Sequence, residues 1–217
     1  FDDGHLKILR VLANQAAIAL ENARLLREEQ TRARHLTLLN NISRHAIAML
    51  PPDEMLSRVA EQLERGLTFD HMGIGLVDPS SKEVVVRAEA GRRRGAVGRR
   101  LKFGGSLVGR VASIGQMSSV REAAGDTNMH LVLDDSASGA AFPLLFADQI
   151  NGVLYVETNE ARDLSDEEIQ LLHTLADLIS GALHHALTLQ KAREQAVTDG
   201  LTGVKTHRYL MEALTAE

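Results

Sequence analysis

The opening stretch of this chain returns in outline near its end, and no other feature limits the available folds as strongly. Set without gaps over residues 164–193, the segment "FDDGHLKILRVLANQAAIALENARLLREEQ" (1–30) places Asp3 on Asp166 and Leu9 on Leu172. Leu12-Ala13 falls on Leu175-Ala176, Ala19-Leu20 on Ala182-Leu183, and Ala23 on Ala186. Both segments open with an acidic first turn, where carboxylates offset the helix dipole. A shared amphipathic period alone would produce part of this likeness. The small residues at matching core positions point further, to two copies of one closing helix. Two tandem domains of the same kind are therefore expected, the first mostly missing and the second complete.

Both helices carry apolar or small residues alternating by three and four. In the second these are Ile169, Leu172, Ala176, Ile179, Leu183 and Ala186, and in the first Leu6, Leu9, Ala13, Ala16, Leu20 and Ala23. That pattern is a heptad-type seam. A second stripe, Leu171, Leu175, Leu178 and Ala182, is expected to face the domain's own sheet. Burial on two sides implies a domain on one and a partner on the other, so a parallel homodimer is expected. Gln190 and Arg193 weaken the seam towards its end.

Between the helices the period changes. Helix is expected to continue through "TRARHLTLLNNISRHAIAML" and stop before Pro51-Pro52, since the residue before proline is biased away from helix. Unbroken, it would span about 75 Å at roughly 1.5 Å per residue. Asp53 is the expected cap of a second helix, "EMLSRVAEQLERGL". "HMGIGLVD" (71–78) and "EVVVRAEA" (83–90) read as strands around the turn "PSSK". The Arg- and Gly-rich "GRRRGAVGRRLKFGG" reads as a loop. "SLVGRVASIGQ" (106–116) reads as a short helix capped by Ser106 and ended at Gly115, and "MSSVREA" as a further strand. "TNMHLVLDD" is ambiguous, and "SGAAFPLLFADQINGVLYVETN" is a hairpin turning at "ADQIN". The sum is an α+β domain with a central antiparallel sheet.

Composition removes several kinds of chemistry. The 217 residues include no cysteine, so disulfides, thiolate metal sites and a cysteine nucleophile are excluded, as is a thioether-linked chromophore. Only 3% are aromatic and the net charge is −5, which argues against a base-stacking nucleic-acid module or an anionic membrane as partner. No apolar run approaches the roughly 20 residues of a membrane span. A cytoplasmic location is expected.

These residues resemble the GAF domain family. "GGSLVGRVASIGQMSSVRE" is similar to the GAF segment in which a Gly-rich turn leads a short helix into a G-Q strand start. "SGAAFPLLFADQINGVLYVET" is similar to the closing hairpin, and "LSDEEIQLLHTLADLISGAL" to the terminal helix. The likeness covers roughly residues 36–190. It implies a central antiparallel sheet with helices on one face, flanked by long coiled-coil-like signalling helices. It also implies a small-ligand pocket between sheet and lid, for which Phe103, Leu107, Arg110, Met129, His130 and Phe142 are the candidates. The N-K…F…D-E set of cyclic-nucleotide-binding members is missing. Haem would need an axial histidine, His130 or His71.

The end of the chain resembles a second family. "TDGLTGVKTHRYL" (198–210) is similar to the opening of GGDEF diguanylate cyclases, with Asp199, Leu201, Thr202 and Gly203 matching a D-x-L-T-G element. Thr206 stands where that family usually has Asn. The G-G-[DE]-[DE]-F signature is absent from these residues. Taken together, residues 1–35 are expected to be the closing helix and linker of a preceding GAF domain, and 36–190 a GAF domain. Residues 191–198 would form a signalling linker and 199–217 the start of a truncated GGDEF domain. No catalysis and no cofactor are expected of this segment, whereas the output domain would use GTP and Mg²⁺ to make cyclic di-GMP. A GAF input to a histidine kinase or transcription regulator, and a ligand-free dimerisation spacer, stay open as alternatives.

Two further clusters have two readings each. Arg92, Arg93, Arg94, Arg99 and Arg100 suit a bidentately held anion or simply a solvated loop. His173, His184 and His185 suit a metal or a pH sensor, or plain polar positions on a long helix.

Overall fold

The computed structural model describes residues 3–46, 50–121 and 130–197. Met129 and the junction residues Asp199, Leu201, Thr202 and Gly203 lie outside them, as do Thr206 and the whole 199–217 region. The chain forms two units, residues 1–38 and 39–217. The first is helical and belongs to α1 (Asp3–Ala46). Along it large apolar side chains stand exposed, among them Val11, Ile18, Leu25 and Leu36.

The second unit takes in the last turns of α1 and continues with α2 (Pro52–Gly66). Its cap is not Asp53: Pro51 holds the cap position with no side-chain hydrogen bond, and Pro52 starts the helix. Proline fits there because its fixed φ is helical and its missing N–H would have no partner anyway. Asp53 and Glu54 instead occupy the first turn, where their charge favours the dipole. Met55, Leu56, Val59, Ala60 and Leu63, spaced by three and four, form its buried face.

Six strands follow: β1 (His71–Asp78), β2 (Glu83–Ala90), β3 (Arg100–Lys102), β4 (Ser118–Val120), β5 (Ser138–Phe146) and β6 (Gln149–Thr158). They form one antiparallel sheet in the order β3-β2-β1-β6-β5-β4. The short α3 (Leu107–Ile114) lies between β3 and β4 in sequence, and α4 (Asp166–Val197) closes the unit. The β5–β6 turn is tighter than expected. It consists of Ala147 and Asp148, both at positive φ, 47° and 62°, and β6 starts at Gln149. A two-residue turn of that handedness matches the twist of the flanking strands. The end of the Arg-rich loop is likewise strand rather than loop, since Arg100–Lys102 pair with Glu83–Val85.

The long helices share one face, with α4 on β5, β6 and α2, and α2 on β2. The inserted α3 covers the opposite face. Alternation along β6 makes the division: Val153 and Tyr155 join the α3 cluster, and Leu154 and Val156 turn towards the long helices.

This division bears on the residues expected to form a dimer seam. Leu172, Ala176, Ile179, Leu183 and Ala186 are 0–6% exposed within this single chain, and Ile169 is half-buried. They merge with the stripe Leu171, Leu175 and Ala182 into one broad buried face on the domain. A side chain covered by its own sheet and α2 has no surface left to offer a partner. The outer side of α4 is polar instead, with Thr174, Asp177, His185 and Thr188 exposed.

Candidate functional site

The α3 face is where the family likeness places a ligand, and its floor follows from the β1 and β6 sequences. Pleating points His71, Gly73, Val153 and Tyr155 to that side. The Tyr155 ring lies across Gly73, so closely that a Cβ there would sit 2.3 Å from the phenolic oxygen. Only glycine admits the ring. Tyr155 is fully buried, and its hydroxyl lies 3.1 Å from His71 Nε2. The other ring nitrogen, Nδ1, lies 2.9 Å from the Arg93 carbonyl, which can only accept. In the neutral ring Nδ1 therefore donates, and Nε2 accepts from Tyr155. Burial, reinforced by Glu157 and Glu89, pushes the phenol well above its ordinary pKa and keeps that donor protonated.

The roof is α3 with the segment 130–137. Ser106 caps α3 by accepting from Gly109 N at 3.0 Å, and Gly115 ends it in the left-handed region at φ 70°. Both ends therefore sit where expected. Leu131, Val132 and Leu133 fold onto the same cluster as Leu107, Val108 and Val111. A buried carboxylate fastens this segment. Glu157 accepts from Val132 N, from Leu133 N at 3.1 Å and from Ser136 Oγ at 2.8 Å. Arg93 joins from outside, bonding Asn159 and pairing with Asp135. Arg99 donates to the Val132 carbonyl. Among the described residues, floor and roof meet in a continuous apolar cluster.

The ligand candidates fare unevenly. Leu107 is buried in the cluster and Phe103 packs half-buried against it. His130 is exposed, and its carbonyl accepts from Leu107 N at 3.0 Å. Arg110 is exposed. Phe142 is on the other side of the sheet, where its ring meets His173 edge-on at 5.1 Å. The reason is strand parity: its neighbour Ala141 faces α3, so Phe142 faces α4. His71, with both ring nitrogens engaged by protein groups, has no nitrogen to give a haem iron.

The arginines are likewise committed. Arg93 pairs with Asp135, Arg94 with Glu64 at 2.7 Å, Arg99 with Asp134 at 4.0 Å, and Arg100 with Glu83 at 2.8 Å. Internal carboxylates thus neutralise four of the five, which favours the solvated-loop reading over an anion site. Among the described residues no group of three or more His, Asp or Glu is placed to hold a metal. His184 stacks on Phe146 at 3.9 Å, and His173 lies on Phe142.

A cavity of about 200 Å³ opens elsewhere, where the ends of β4, β5 and β6 meet the start of α4. Phe69, Ser119, Ser138, Thr158, Arg162 and Ile169 are among its walls. Arg162 is fixed there by two 2.9 Å bonds to Glu168 and lies over the Phe69 ring. The space is below the roughly 300 Å³ at which pockets for larger organic ligands begin. Its walls come from separated segments with no shared motif, so no sequence pattern announces it.

Residues 49–184 match the family model for the GAF domain. That is more than half of the chain, which belongs to the GAF domain family. Solved structures agree on the fold. The GAF domain of an Acinetobacter phosphoenolpyruvate-protein phosphotransferase is 22% identical, with a TM-score of 0.62 over 72% of this chain and 97% of that one. The corresponding domain from Coxiella burnetii is 23% identical, with a TM-score of 0.64 over 73% and 98%. Free methionine-R-sulfoxide reductase from Neisseria meningitidis, in complex with its substrate, is 19% identical with a TM-score of 0.63, over 71% and 90%. No curated protein matches the chain. Among the described residues no helix is long and apolar enough to cross a membrane.

Proposed function

We propose that this chain is the regulatory region of a diguanylate cyclase. It works as a homodimer and sets the placement of two GGDEF domains that join GTP, with Mg²⁺, into cyclic di-GMP. The observation that carries the reading is the course of α4. Up to Ala186 the helix has a face in the domain's interior, and from Thr188 to Ala192 its side chains are exposed. A rearrangement of the sheet is therefore felt along a helix that leads, in sequence, into "TDGLTGVKTHRYL". Asp199, Leu201, Thr202 and Gly203 would form the joint that converts helix packing into catalytic-domain geometry.

A second reading, a ligand-free dimerisation spacer, draws support from the apolar cluster that α3 makes with the sheet. Native mass spectrometry of the purified chain separates the two input modes, since a sensor of small molecules carries or acquires one. The output is tested on the full natural polypeptide, assayed for cyclic di-GMP from GTP and Mg²⁺. No product sinks the cyclase reading. Unchanged activity and regulation in Asp199→Ala and Thr202→Ala sink the joint.

A further inference from the structure

Helix α1 has an apolar face that α4 lacks, and its spacing identifies what covers it. The buried positions Leu175, Ala176, Ile179, Ala182, Leu183 and Ala186 of α4 correspond to Leu12, Ala13, Ala16, Ala19, Leu20 and Ala23 of α1. Each is apolar in both helices, so both present the same domain-facing side. Val11, Ile18 and Leu25 lie off that side. With about 100° of rotation per residue they fall roughly opposite its centre. In α4 their counterparts are Thr174, Gly181 and Thr188, two of them exposed and polar. In α1 they are large, apolar and 52%, 62% and 48% exposed. A helix apolar on opposite sides is stable only when both are covered.

We infer that Val11, Ile18 and Leu25 form the seam of a parallel pair with a second copy of this chain. The three recur at intervals of seven, and Gln15 and Asn22 fall between them at the alternating four-and-three spacing. That is the two-line pattern of a coiled coil, with apolar residues on one line and polar amides on the other. The amides select the occupant. In an in-register parallel pair Asn22 meets Asn22 and Gln15 meets Gln15, so each buried amide finds a donor and an acceptor in its twin. An unrelated apolar surface would leave them unsatisfied. Glu29 and Arg32 follow on the two lines and limit the tight part to residues 11–25.

This inference rests on the homodimer proposed above and moves its seam from α4 to the outer side of α1. The absence of cysteine makes the test direct, because one introduced thiol reports one contact. Val11→Cys and Leu25→Cys are each expected to form a self-crosslinked dimer under mild oxidation, and Leu20→Cys, on the domain-facing side, is not. In sedimentation velocity, Ile18→Glu is expected to convert dimer to monomer while leaving the circular dichroism of the domain unchanged. A dimer that persists in Ile18→Glu, or that crosslinks no better through Val11→Cys than through Leu20→Cys, overturns the seam and leaves the homodimer standing. A wild-type chain monomeric at every concentration overturns both.

Discussion

At Gly73 the absence of one carbon decides how the sheet face is used. Because the Tyr155 ring rests where a Cβ would be, Gly73→Ala forces the ring or the strand to shift. Overpacking of this kind costs about 1–3 kcal/mol, readable as a lowered urea midpoint. Glu157 works by hydrogen bonding. Glu157→Gln turns one acceptor towards backbone donors as an NH₂ group, a mismatch costing about 1–3 kcal/mol. Amide exchange at Val132 and Leu133 is expected to accelerate first. Asp78 gives a pH signature. Hydrogen bonds from Ser80, then Ser81, hold its carboxyl at about 2, below the ordinary 3.8. A carboxyl depressed by folding stabilises the protein above its unfolded value and loses that contribution as pH falls through the folded one. Asp78→Ala is therefore expected to lower the thermal midpoint at pH 6, with the difference from wild type fading between pH 4 and pH 2. Sequence alone picked out Leu107 and Phe103, which lie in or against the apolar cluster under α3. It misplaced Phe142, because motif resemblance carries no strand parity until the alternation of Ala141 and Phe142 is fixed by pairing with β6.

Among the elements, α4 shows best what spacing alone leaves open. Its heptad-like spacing was legible, but the same three-and-four pattern fits a partner helix or the helix's own sheet. Only burial separates the two. Leu→Ala or Ile→Ala in a packed interior costs about 2–5 kcal/mol. Ile179→Ala and Leu183→Ala are each expected to lose stability of that size in chemical denaturation, with no change in self-association beyond what unfolding brings. A pure dimer seam would show the reverse. Elements fixed by local chemistry were readable in full: Ser106 and Gly115 bound α3, and the alternating runs gave β1 and β2. Arg100–Lys102 was not readable as strand, since three charged and apolar residues become β3 only when β2 offers an edge.

The whole molecule contains one self-sufficient body. The sheet and the helices on its two faces make a complete core within residues 39–217. A shortened chain of residues 36–197 is expected to keep the sheet's circular dichroism signature and unfold in one cooperative step, measured by urea titration followed at two wavelengths. Both borders of its sheet are three-residue strands, β3 carrying Arg100 and Lys102, β4 carrying Ser118 and Ser119. Short, charged or polar borders offer a passing strand little to hydrogen-bond along. Such borders resist growth of the sheet by strand addition, a guard against fibrillar aggregation. Under the homodimer proposed above, contact between copies would be left to helices, where register can be specified and undone.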